Sequence, residues 1–270
     1  MASLPADGWP LSFAQLGLWF ERQFYSSHPS HSVGEYIEIF GALKAELFLR
    51  CLCTAAGEAE VLGATFIETE AAPQQVLGGR ISDQCVTFID LSNDIAPRES
   101  MLDTISRKME APLSPTDPQL FSFCLFKLSD DRFAWHHLYH HIIIDGFGYS
   151  LIARRVAELY TAAIEDRAAP QAWFKPLAQL LDIEQKYLSS DAFKSDRDFW
   201  GDYLSKLPAP TRFGESSRSF SRLPIRSSRR MEKPALDGIS ELARVSETSL
   251  SRTLIAAVAA YLFRSTGVRD

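Results

Sequence analysis

The chain has 270 residues, 46% of them apolar and 23% charged, with 14 glycines and 14 prolines, which excludes extended disorder, a collagen-like repeat and a disulfide-stapled scaffold. Its 28 Lys and Arg against 34 Asp and Glu leave a net charge of −6, so no nucleic-acid partner is expected. Length alone suits one large domain or two small ones.

The start, MASLPADGWPLSF, lacks the basic and continuously apolar regions of a signal peptide. Residues 12–24 (SFAQLGLWFERQF) place Phe13, Leu16, Phe20 and Phe24 at helical spacing behind Ser12, a capping residue, and predict a short amphipathic helix. Residues 33–40 alternate Tyr36 and Glu38 with Ile37 and Ile39, a strand signal that stops at Gly41. A helix over 43–60 and a strand around 64–68 follow. The turn-rich AAPQQVLGGR then leads to a strand at 85–90, and 98–110 reads as a helix closed by Ala-Pro. Two β-rich runs, 120–128 and 133–144, are joined by Ser-Asp-Asp-Arg, a connector of hairpin length. Gly146 and Gly148 open a helix in which Ile152, Val156, Leu159 and Ala163 form one stripe. Helices are expected at 176–188 and 191–205. The polar stretch 208–230 is the candidate boundary or crossover, its Arg222, Arg226, Arg229 and Arg230 read as a solvated loop in preference to a phosphate site. Helices at 236–245 and 249–266 complete the chain. The longest uncharged apolar run, 254–263, is about half a membrane span, so a cytoplasmic protein with no membrane partner is expected. Cys51, Cys53, Cys85 and Cys124 lie among apolar neighbours without a C-x-x-C spacing and read as buried thiols in a reducing compartment.

Four of the six histidines fall within residues 136–141, as His136, His137, His140 and His141. On a strand, alternation sends His137, Tyr139 and His141 to one face and His136, Leu138 and His140 to the other, so no face gathers four metal ligands. Two histidines with Asp145 leave a zinc site without its fourth ligand, and no metal is expected. The more economical reading is one imidazole at a strand's end, before a glycine turn and a helix N-terminus, acting as general base. Backbone N–H groups at that helix start suit a developing oxyanion. Asp145 either accepts a bond from the His141 ring or bonds backbone or a cation and shapes the turn. Neither a G-x-S-x-G elbow nor a nucleophilic Cys context is present, so the base must activate a substrate's own nucleophile.

The run His140-His141-Ile142-Ile143-Ile144-Asp145-Gly146 matches the HHxxxDG motif, and Ser12 to Trp19 (SFAQLGLW) resembles the SxAQxxLW opening, of nonribosomal peptide synthetase condensation domains. These belong to the wider chloramphenicol-acetyltransferase-like superfamily. Residues 139–147 (YHHIIIDGF) look most like the siderophore synthetases, such as the enterobactin system. The resemblance implies an α/β fold, an α+β two-layer sandwich with a mixed sheet flanked by helices. It assigns residues 1–188 to a first lobe carrying the motif and 189–270 to a crossover and the beginning of an incomplete second lobe. It implies that His141 deprotonates or orients an attacking amine, that Gly146 offers backbone to the oxyanion, and that His140 and Asp145 are structural. The implied reaction joins two thioesters into an amide, each carried on the phosphopantetheine of a carrier protein. The implied partners are carrier proteins and an adjacent adenylation domain, with no cofactor bound directly and no metal.

One departure concerns the RHExLRTxF motif, matched by residues 58–66: Glu60, Leu62 and Phe66 are kept, but Gly63 stands where an Arg normally pairs with the motif Asp. Asp145 then lacks its usual cation unless Arg22, Arg107 or Arg132 substitutes, and an unpaired buried carboxylate costs several kcal/mol or takes up a proton. Rival readings are an epimerisation domain, a noncatalytic carrier-binding platform and a coenzyme A-dependent acyltransferase.

Overall fold

The computed structural model describes residues 8–24, 31–79, 81–82, 85–111, 113–207, 227 and 229–268. In chain order the elements are β1 (Trp9–Pro10), α1 (Phe13–Phe24), β2 (Ser32–Phe40), α2 (Ala45–Glu58), a 3-10 turn (Glu60–Gly63), β3 (Thr65–Ile67), β4 (Gln74–Val76), β5 (Val86–Asp90), α3 (Pro97–Glu110), β6 (Phe121–Ser129), β7 (Arg132–His140), α4 (Gly146–Ile164), α5 (Leu177–Leu188), α6 (Asp191–Ser205), α7 (Lys233–Val245) and α8 (Leu250–Thr266). They fall into two compact units, Met1–Ser190 and Asp191–Asp270.

In the first unit, β6 and β7 are buried along nearly their whole length because both faces of their sheet are covered. The sheet has the order β2-β7-β6-β5, with β5–β6 parallel and the other pairings antiparallel, so it is mixed as expected. One face presents Phe121, Phe123, Leu125, Trp135 and Tyr139 to Phe48 and Leu52 of α2 and to Ile152, Val156 and Leu159 of α4. The opposite face sets Cys124, Phe126 and Ala134 against Met101 of α3. A small antiparallel sheet, β1-β4-β3, lies apart from this one. Its strands β1 and β4 are too short to show in the residue pattern.

Two expectations need correction, and a third falls largely outside the described residues. The second β-rich run stops at His140, because Ile143 N donates to His140 O (3.1 Å) and Ile144 N to His141 O (3.3 Å), turning the chain out of the sheet. The three isoleucines that follow read as strand by propensity, but they are buried in the core from a turn. Cys53 is exposed, while Cys51, Cys85 and Cys124 are buried. The candidate boundary 208–230, with Arg222 and Arg226, lies outside the described residues except for Ser227, Arg229 and Arg230.

In the second unit, α7 starts with Pro234 in its first turn, and α8 is capped by Ser249, whose Oγ accepts from Arg252 N (3.3 Å). No described helix is long and apolar enough to cross a membrane.

Candidate active site

The two motifs line one cavity, and each is held by local bonding. Ser12 and Gln15 form a capping box at the start of α1: Ser12 N donates to Gln15 Oε1 (2.8 Å) and Gln15 N to Ser12 Oγ (3.3 Å). Gln15 exchanges two side-chain hydrogen bonds with buried Gln75 on β4, which also donates to Pro10 O (2.9 Å). Glu184 of α5 accepts from Phe13 N (3.1 Å). The opening motif therefore anchors α1, with Trp19 1% exposed in the core.

At the other motif, His140 is buried and its Nδ1 accepts from Ile142 N (3.0 Å), which places the ring proton on Nε2 and holds the turn closed. Its ring stacks on that of His31 at 5.7 Å, and His31 O accepts from His141 N (2.6 Å). His141 follows the last strand residue, and its half-buried side chain lines a cavity of about 390 Å³. Asp145 lines the same cavity and is the N-cap of α4: its Oδ1 accepts from Gly148 N (2.7 Å). Of the two roles open to Asp145, the structure shows the backbone one, so the carboxylate shapes the turn. Gly148 permits the tight approach, since a Cβ there would lie 2.7 Å from Ile144 Cγ1. Gly146 is the exposed first residue of α4, at the positive end of a 19-residue helix.

The expected penalty at Asp145 does not arise, because the residue is exposed and already hydrogen-bonded. The proposed substitute cations are engaged elsewhere: Arg107 pairs with Asp103 (2.9 Å), and Arg132 lies 3.8 Å from Glu38 and over the Phe40 ring. The side chain of Arg22 lies outside the described residues. Gly63 has its own reason. Gly79 N donates to Gly63 O (3.0 Å), and a Cβ on Gly63 would run into the Gly79 carbonyl oxygen, so this backbone contact leaves no room for an Arg.

His136 and His137 serve the core. Burial pushes His136 down to about 4, with Lys108 adding to it, and pushes His137 down to about 3, with His136 adding to it. Both are neutral at physiological pH. Glu35 Oε1 lies 3.4 Å from His137 Nε2 without hydrogen-bond geometry. Among the described residues no cluster of His, Cys, Asp and Glu is arranged to hold a metal.

Sequence reasoning did not reach the far wall of the cavity. Phe174 and Lys175 line it, from the irregular residues 167–176 between α4 and α5. Glu60 also lines it and accepts from Leu177 N (2.7 Å), capping α5. A signal did exist: Arg155 falls on the buried stripe of α4, and a guanidinium there requires a carboxylate partner. That partner is Glu58, bound at 2.6 and 2.8 Å through two nitrogens.

A profile of the Condensation domain family matches residues 6–270. The chain is 33% identical over 260 residues to a dimodular nonribosomal peptide synthase of Bacillus subtilis (strain 168), covering 96% of this chain and 11% of that protein. It is 26% identical over 257 residues to enterobactin synthase component F of Escherichia coli (strain K12), covering 92% of this chain and 20% of that one. The first condensation domain of the calcium-dependent antibiotic synthetase, solved with a substrate analogue, superposes with a TM-score of 0.85 at 27% identity over 97% of this chain and 62% of its own. The chain thus spans under two thirds of the length of each of these relatives. With both motifs in place on a shared fold, and the profile running over nearly every residue, the chain belongs to the condensation-domain family of the nonribosomal peptide synthetases.

Proposed function

We propose that the chain catalyses amide formation between two carrier-bound thioesters, with His141 as the general base or positioning residue. The observation that carries this is the half-buried imidazole on the wall of an apolar cavity, beside the capped N-terminus of α4. The α-amino nitrogen of the acceptor attacks the donor carbonyl carbon. A C–N bond forms, and the electron pair of the carbonyl moves to oxygen. The α4 N-terminus at Gly146 offers positive potential and backbone N–H to that oxygen. As the C–S bond breaks, the proton taken from nitrogen by His141 is delivered to the departing thiolate. Both substrates arrive on phosphopantetheine arms, so the partners are carrier proteins and the adenylation domain that loads them, with no cofactor held by this chain. Residues 1–188 form the lobe that bears the site, and 189–270 the crossover and beginning of a second lobe. The relationship to enterobactin synthase component F supports a siderophore-type synthetase, and the cytoplasm is the location we propose for it.

In the full synthetase, His141→Ala is expected to lower single-turnover amide formation by 10²-fold or more, a scale typical of a lost general base. Unchanged carrier-bound product, measured by intact-protein mass spectrometry, would overturn the assignment. The same assay run with coenzyme A donors separates this reading from a coenzyme A-dependent acyltransferase.

A further inference from the structure

We infer that residues 167–176, the irregular strap between α4 and α5, form the wall of the cavity that selects the acyl group. Phe174 is the specificity-determining residue, and Arg155 and Glu58 are positioning residues. This rests on the reading that the cavity beside His141 receives the donor's acyl part.

The strap has no helix or strand to hold its shape, so its backbone must be held by other elements. Side chains supply those bonds. Arg155 is 1% exposed, and the nitrogen that binds Glu58 Oε1 also donates to Pro170 O (2.8 Å). Trp173 Nε1 donates to Glu158 (2.8 Å), and the Arg154 guanidinium lies over the Trp173 ring at 5.5 Å. Glu60 takes the N–H of Leu177 just past the strap's end. Two carboxylates from α2 and the turn after it, and three charged residues of α4, thus determine where Phe174 sits. Phe174 stacks obliquely on Trp173 at 4.5 Å and faces the cavity with Leu18, Val61, Leu151, Ile152 and Leu180.

The chemistry of this lining identifies the ligand. Ser12 and Gln15 are occupied by each other, Glu60 caps α5, and Asp145 caps α4, so most polar side chains on the wall are already satisfied. A polar acyl group would lose its hydration there without gaining partners, whereas a hydrocarbon chain buries apolar surface. The class selected is an acyl thioester with a hydrocarbon body, its length limited by Phe174.

The test measures binding of the butanoyl, octanoyl and dodecanoyl thioesters of N-acetylcysteamine to the 270-residue chain by calorimetry. Phe174→Ala is expected to shift the ratio of octanoyl to dodecanoyl affinity by about tenfold toward the longer chain, and Phe174→Leu, which guards against misfolding, by a smaller factor in the same direction. Glu58→Gln keeps the shape of the pair but removes its charge, and is expected to flatten the length preference while altering the butanoyl affinity little. A uniform change at all three lengths, no change, or no binding by the unaltered chain would overturn the inference. If Glu58→Gln lowers thermal stability yet leaves the length ratios intact, the positioning role is wrong. The length ratios are read from binding alone, and the base assignment from amide formation by His141→Ala, so the failure of one is distinguishable from the failure of the other.

Discussion

Asp145 shows how one side chain answers to local backbone chemistry before it answers to a distant charge. Its carboxylate satisfies an otherwise unpaired N–H at the start of α4, a contact that any acceptor of the same length supplies. Asp145→Ala is therefore expected to cost about 1 kcal/mol in denaturant unfolding, with Asp145→Asn near neutral. A large loss for Asn would mean that charge, not capping, is what the position requires. His136 and His137 make a different residue-scale prediction. Their folded values, about 4 and about 3, lie below the ordinary 6.5, so below pH 6.5 the unfolded chain takes up protons that the folded chain refuses. The stability they contribute is fully present above pH 6.5 and is lost as pH falls toward 4 and then 3. The melting temperature should drop over that window, and His137→Phe should make the drop shallower. An unaltered acid profile in that variant would show that His137 is not buried neutral.

At the scale of elements, α3 covers one face of the sheet through few side chains, with Met101 fully buried against Cys124 and Phe126. Met101→Ala is expected to cost about 2–5 kcal/mol by chemical denaturation, the range for emptying such a site. Elements with a strong pattern were legible in the sequence: α4 announced itself through Ile152, Val156 and Leu159, and β6 through its β-rich run around Phe121, Phe123, Leu125 and Phe126. The site's final turn was not. Ile142, Ile143 and Ile144 carry strand propensity, and only the hydrogen bonds among residues 140–144 reveal that the chain leaves the sheet at His140. The motif residues themselves were legible, because His140, His141 and Asp145 lie within six consecutive residues. The strap was not, since Phe174 is placed through bonds of its neighbours Pro170 and Trp173 with Arg155 and Glu158, and Arg155 is itself held by Glu58, 97 positions away.

At the scale of the whole molecule, the order β2-β7-β6-β5 places the strand that ends at the site in the interior of its sheet, where both neighbours constrain it. Position 140 is held by β2 on one side and by a bond from its own N–H to Leu120 O (2.7 Å) on the other. The pairing of Ser32 with His140 joins residues more than a hundred positions apart. On the ribosome β2 therefore emerges roughly 5–20 s before the strand it will pair with, at about 5–20 residues per second. During that interval an apolar ribbon with Tyr36, Ile37, Ile39 and Phe40 has an open edge, and Glu35 and Glu38 are the charges that interrupt it. The carboxylates of β2 thus guard the nascent chain against sticking to its neighbours, long before any histidine of the site is in place.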